Sequence, residues 1–308
     1  MLPMRSLTRA FDTDAVRTRP KRRPGRIWSI IRWAGRYPIA VAASLVFLLL
    51  VLMAAFPQQF AQQSPTKQAL GYRLKPPGSI ALDGTKHALG TDQLGRDVWA
   101  RIANGARIAL AVGVIGVGIS ALMGVGLGVM AGFFGARTDM LIMRTADIQL
   151  SFPFILLALV WAAFIGNTLP SIIVIVGIRG WADFARLVRA KVLALREQEF
   201  VLATRALGAS DIRLMLRHVV PNVLPLVLIV ASLQFGRAVI LESTLSFLGL
   251  GIPPPAATWG GMLSDGRTYL GTAWWLTTIP GLAIMLMVLC ANILGDAMRD
   301  TFDPRMRL

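Results

Sequence analysis

From Ile108 to Phe134 the chain carries no charged residue, and the same holds for Pro38–Phe56, Ile148–Gly166 and Ala273–Leu294. A bilayer core about 30 Å thick is crossed by about 20 mostly apolar helical residues, so each of these runs is long enough to span it. Two further stretches, Leu169–Leu187 and Val223–Ser243, are nearly as apolar but contain Arg179 and Asp183, and Arg237 and Glu242. Six transmembrane helices are therefore expected, in an all-α polytopic membrane protein. Composition agrees: 55% hydrophobic and only 16% charged, with a mean hydropathy of +0.61, is too apolar for an ordinary soluble domain.

The net charge of +16 would suit a nucleic-acid partner if it lay along one face, but the basic residues sit between the apolar runs. No nucleic-acid partner is expected. The basic residues orient the chain instead, because cytoplasmic segments retain excess Lys and Arg. With the N-terminus inside, 22 of the 32 basic residues fall on the cytoplasmic side and eight outside, with Arg179 and Arg237 inside spans. Both termini are thus expected in the cytoplasm. The layout is a basic tail (1–37), a first helix (38–56), an extracytoplasmic segment (57–107), a five-helix core (108–295) holding a cytoplasmic loop (188–221), and a C-terminal tail (296–308). Pro38–Phe56 is longer than a signal-peptide core and lacks a small-residue cleavage site, so it reads as a retained anchor. Trp28, Trp33, Trp274 and Trp275 suit an interfacial aromatic belt.

Catalytic chemistry is hard to find. The lone Cys290 cannot form an internal disulfide and reads as a small hydrophobe. His87 and His218 have no second ligand at metal spacing, and no nucleophile triad stands out; neither a metal nor a cofactor is expected. Gly90–Asp97 (GTDQLGRD) has the glycine spacing of a phosphate loop but places Arg where Lys belongs and Asp where Ser or Thr belongs. Gly116–Ala121 lacks the strand that a dinucleotide fingerprint needs. Gly124, Gly128 and Gly132, four apart, read as a helix-packing face. Arg179 and Asp183 share a helical face and are either a structural ion pair between helices, the reading we favour, or pathway-lining groups. Arg237 and Glu242, five apart, are expected to find partners on other spans or near the interface.

The cytoplasmic loop is more specific. Phe200, Ala203, Ala206 and Leu207 recur at three and four, giving Glu199–Leu207 one apolar face, with Gly208 as a stop that needs positive φ or close backbone approach. Ser210 or Asp211 can cap a second helix, Ile212–Val219, before Pro221 blocks continuation into the next span. Such a helix either lies on lipid or docks its apolar knobs into a groove of a soluble partner.

This loop resembles the Glu-Ala-Ala loop of ABC importer permeases, aligned here on Leu202, Ala203, Thr204, Gly208, Val220 and Pro221, with departures at the Glu, the second Ala and the Leu. Gly90–Leu110 (GTDQLGRDVWARIANGARIAL), Glu242–Leu263 (ESTLSFLGLGIPPPAATWGGML) and Gly295–Arg305 (GDAMRDTFDPR) are similar to the dipeptide/oligopeptide/nickel class. The resemblance implies a type I ABC importer permease fold in the bacterial inner membrane. It also implies a second homologous permease subunit, one or two cytoplasmic ABC ATPase subunits, an extracytoplasmic substrate-binding protein, and membrane lipid around the helices. ATP hydrolysis would lie on the partners, coupled through Glu199, Phe200, Ala203, Thr204, Arg205, Leu207 and Gly208. Arg205 would either pair with acidic groups of the ATPase or be solvated, and Asp296, Arg299 and Asp300 would buttress the loop or form a solvated helix end. A membrane-embedded enzyme would need an intramembrane His/Asp/Glu cluster, and an ATP-independent carrier matching broken helices in two halves; the sequence has neither.

Overall fold

The structure, a computed structural model, describes residues 37–302. The basic tail through Arg36, with Trp28 and Trp33, and residues 303–308, with the end of the last motif, lie outside the described residues. From Ile39 onward the chain forms one unit; among the described residues its regular structure is helical apart from a two-residue antiparallel pair, Ser79–Ile80 (β1) with Lys86–His87 (β2).

The helices of eight residues or more among the described residues are α1 (Pro38–Ala55), α2 (Val98–Phe134), α3 (Ala136–Ser151), α4 (Phe154–Ile165), α5 (Leu169–Arg196), α6 (Glu199–Ala206), α7 (Asp211–Phe247), α8 (Trp259–Gly266) and α9 (Trp275–Phe302). Four of these, α1, α2, α7 and α9, are long and apolar enough to cross a membrane, and α3 with α4 makes a fifth if the bent pair counts as one span. The expected run Ile148–Gly166 is therefore not one straight helix. Pro153 lacks an N–H, and Phe152 before it is forced into extended backbone (φ −82°, ψ 131°). The axis turns by 88° there, leaving α4 about 18 Å long. The remaining stretch of the expected six, α5, is a continuous 28-residue helix whose Arg179, Asp183 and Arg186 set it apart from the apolar four.

Two helices run further than hydropathy indicates. α2 begins ten residues before Ile108 because Asp97 caps it, its Oδ1 accepting from the Ala100 N–H at 2.8 Å. α7 corrects the expectation that Pro221 separates a short helix from the next span. Met215–Val219 is a π-turn, whose extra residue widens the coil just ahead of the proline ring, and the helix passes through Pro221. A second π-turn, Val112–Gly116, lies inside α2.

α2 packs closely on α5 through its glycines. A Cβ on Gly128 would lie 2.7 Å from the Ala185 carbonyl and 2.9 Å from Val188 Cβ, and one on Gly132 would lie 2.9 Å from the Arg189 carbonyl. Phe184, Val188 and Val192, all with no exposure, fill the facing side. α3 is fixed along α5 by Arg189–Asp139 and by Arg186–Asp147 at 2.5 Å, while Arg196 Nη1 donates to the Gly132 carbonyl at 3.1 Å.

The phosphate-loop lookalike has a structural role. Gly90 and Gly95 have φ of +79° and +74°, and the loop closes on Asp92, whose Oδ1 accepts from the N–H groups of Leu94 and Arg96, each at 2.9 Å. Asp92 Oδ2 meets Arg96 Nε at 2.6 Å and Arg101 Nε at 3.5 Å, and both guanidiniums reach Asp265 of α8 at 3.5 and 3.7 Å. Asp92, Arg96 and Arg101 are buried; Asp265 is half-exposed. His87 Nδ1 closes the same region on Asp97 Oδ2 at 2.8 Å. Trp275 differs from its expected interfacial place. It is buried, with its N–H donating to the Thr91 carbonyl at 3.2 Å, whereas Trp274 is exposed.

Two outcomes follow from this packing. Gly128→Leu overpacks the α2–α5 contact and costs about 1–3 kcal/mol, read as a lower melting temperature in detergent. Gly126→Leu, on the open face with nothing near its Cβ, stays within about 0.5 kcal/mol of wild type. Asp92→Ala leaves two buried guanidiniums with only the more distant, half-exposed Asp265, costs about 3–5 kcal/mol, and exposes the 57–107 segment to trypsin.

Candidate functional site

Two regions gather the residues singled out in the sequence. The first is α6 with the turn that follows it. Leu195 and Val201 are buried and seat the helix on the rest of the chain. Phe200, Ala203 and Leu207 are exposed, and Leu202, Ile212 and Leu216 extend the same apolar exposure. Thr204 Oγ1 donates to the Phe200 carbonyl at 2.6 Å, and the Phe200 ring lies 6.3 Å from that of His218. Glu199, in the first turn, complements the helix dipole.

Gly208 has φ +85° with no atom within 4 Å of a built Cβ. The left-handed conformation, not crowding, is what requires glycine there. Arg205 is neither simply solvated nor left without a partner. It meets Asp211 at 3.4 Å and stands 5.1 Å over the Phe133 ring. Ser210 occupies the N-cap position of α7 but makes no side-chain cap hydrogen bond. Asp296, Arg299 and Asp300 are exposed at the end of α9.

The second region is a cavity of about 230 Å³ bounded by α2, α4, α5 and α7. Arg179, Asp183 and Arg237 all line it, yet Arg179 and Asp183 form no ion pair. Asp183 Oδ2 instead accepts from Gln234 Nε2 of α7 at 2.9 Å. The favoured ion-pair reading is thus not what the side chains do; an uncharged amide from another helix takes the carboxylate. Glu242 also departs from expectation. It is buried, and hydroxyls of its own helix satisfy it, with Ser246 donating at 2.7 Å and Ser243 at 3.4 Å. Arg237 is exposed.

Sequence reasoning missed Ser120, Gln149 and Gln234. Ser120 Oγ bridges α2 to α5, lying 2.8 Å from the Gly177 carbonyl and 3.0 Å from that of Gly116. Gln149 of α3 donates to the Ile178 carbonyl at 2.7 Å and accepts from the Trp181 indole. Being uncharged, these residues left the hydropathy runs intact; an amide or hydroxyl inside an apolar run was the available signal.

Residues 124–308 match the family described as binding-protein-dependent transport system inner membrane component. The chain belongs to that family. The match takes in every helix from α3 to α9 and begins at Gly124, the first glycine of the α2 stripe. The chain is 39% identical over 269 residues to the dipeptide transport system permease protein of Alkalihalophilus pseudofirmus, covering 87% of this chain and 86% of that one. It is 38% identical over 268 residues to the di/tripeptide transport system permease protein of Pseudomonas aeruginosa, covering 87% and 88%. Among solved structures it is similar to a chain of the MetNI methionine ABC transporter in an inward-facing conformation. The TM-score is 0.54 at 19% identity, over 67% of this chain and 98% of that one, a likeness of fold. This permease is accordingly an inner-membrane subunit of an ATP-driven importer, not the ATPase.

Val201→Asp tests how α6 is seated. An unpaired carboxylate at that buried position costs at least about 2 kcal/mol and releases the helix, so trypsin should cut after Arg205 more than about tenfold faster than in wild type.

Proposed function

We propose that this permease forms half of the translocation pathway of a peptide importer and couples to its ATPases through α6. The observation that carries the coupling role is the build of α6 and its turn. A short helix is pinned on one side by Val201, presents Phe200, Ala203 and Leu207 on the other, and is stopped by a glycine at φ +85°. Apolar knobs on a seated helix suit a groove in a soluble partner. A helix lying on lipid would need no such turn.

The peptide class rests on the named relatives. The partners that complete the importer are a second homologous permease, one or two ATPase subunits below, and an extracytoplasmic binding protein above. In this arrangement α5 is the sixth span, with Arg179 and Asp183 facing the cavity instead of lipid, where an ionised group costs about 2.5–3.5 kcal/mol or more. Both termini then lie in the cytoplasm, the 57–107 segment outside, and α6 on the inner face with the basic residues around it. Closure of the ATPase dimer displaces α6, and the rigid helices on either side carry the movement into the pathway.

Gly208→Val places a β-branched residue in left-handed backbone, at a cost of roughly 1–2 kcal/mol. It should lower co-purification of the ATPase or separate ATP hydrolysis from uptake while the chain remains inserted. Wild-type assembly and transport in that variant would refute the docking role. Reporter fusions after Leu308 and near Ser79 should report opposite sides of the membrane; agreement between them would refute the topology.

A further inference from the structure

The cavity among α2, α4, α5 and α7 is lined by two cations and one anion, and its only anion is already engaged. Asp183 is held by Gln234, itself buried, at 2.9 Å. Neither the Arg179 nor the Arg237 guanidinium has an ion-pair or hydrogen-bond partner among the described residues. The Ser120 hydroxyl donates to the Gly116 and Gly177 carbonyls and makes no hydrogen bond with either guanidinium. The small lining residue Gly180 leaves space between α5 and Ser120 that a side chain would take.

These groups occur well inside helices, ten or more residues from the ends of α5 and α7. Ionisable side chains at such depth are expensive and are kept for a partner or a substrate. About 230 Å³ is smaller than a site for a whole drug-sized ligand, roughly 300–1,000 Å³. It fits one end of an extended molecule.

We propose that Arg179 and Arg237 bind the terminal carboxylate of a peptide in transit, with Asp183 held by Gln234 and paired to neither guanidinium. Guanidinium forks match a carboxylate with paired charge-assisted hydrogen bonds. This rests on the peptide-importer reading and names the part of the peptide that the membrane subunit recognises.

The test uses the assembled transporter in proteoliposomes with its ATPases, second permease and binding protein, and compares uptake of trialanine with that of trialanine amide. Arg179→Gln and Arg237→Gln should each lower the acid-to-amide uptake ratio by about tenfold, the scale of one lost hydrogen bond to a charged group. The lysine variants should restore part of it. An unchanged ratio, with both substrates falling together, overturns the proposal. That is also the result expected if Arg237 pairs with an acidic residue of the second permease.

A measurement that does not pass through the binding protein keeps the proposal open to failure should the amide not be loaded. In a Cys290→Ala background, Val117→Cys on the cavity wall is labelled with anionic and cationic methanethiosulfonates. The anionic reagent should react faster, and trialanine should protect the thiol; loss of both arginines should remove the preference. Equal or cationic preference in the parent overturns the carboxylate site. Failure of the peptide reading shows separately, as absence of trialanine uptake by the wild-type complex.

Discussion

The contact between α2 and α5 is the one on which the placement of the other groups depends. In lipid the solvent is as apolar as a leucine side chain, so helices gain little from burying apolar surface and associate through close van der Waals packing. Gly124, Gly128 and Gly132 let the two backbones approach so closely that a single Cβ would collide with carbonyl oxygens of α5. The consequence is rotational. With Phe184, Val188 and Val192 committed to α2, the neighbouring face of α5 is fixed by the helical repeat. That face carries Arg179 and Asp183 to the cavity. Ser120 locks the same interface one turn above by reaching across to the Gly177 carbonyl.

Hydropathy made the helices legible and left their ends hidden. The apolar run that marks α2 starts at Ile108, but the helix starts where Asp97 caps it, and its first turns hold buried Ala100, Arg101, Ala103 and Ala106. Those turns pack on protein, so their composition follows neighbours and not lipid. The two prolines show the same limit. Pro153 and Pro221 look alike in sequence, yet one breaks a helix by 88° and the other is passed through. The difference is a π-turn before Pro221, which local propensity does not encode. The glycine stripe and the positive φ of Gly208 were readable because each depends on the absence of a Cβ. Partners were not: i,i+4 spacing put Arg179 and Asp183 on one face, but the group that reaches Asp183 comes from Gln234, 51 residues away.

The buried charges near the start of α2 follow a different logic from those in the cavity. Asp92, Arg96, Arg101 and Asp265 balance one another, two acids against two bases, in a cluster that ties the Gly90–Gly95 loop to α8. Removing Asp92, Arg96 or Arg101, the three buried members, leaves a buried charge short of its counter-charge. The cavity has an excess of one cation after Asp183 is counted. An assembly that balances its charges in one place and leaves a surplus in another is using the first for structure. The surplus has a cost in hydrocarbon that folding alone gives no reason to retain.

α6 stands between the two helices that carry the charged cavity. α6 connects the end of α5 to the start of α7, and those two helices carry all four groups of the charged site: Arg179 and Asp183 on one, Gln234 and Arg237 on the other. From Asp183 to Arg196 is about 20 Å of uninterrupted helix, stiff enough to transmit a displacement with little bending. Arg205 ties the helix to both sides, pairing with Asp211 on α7 and lying over Phe133 at the end of α2. In the coupling we propose, a push on the exposed side of α6 displaces the ends of both α5 and α7, which it joins. The hydrogen bond between Asp183 and Gln234 spans those same two helices, so a shear between them changes how firmly the carboxylate is held.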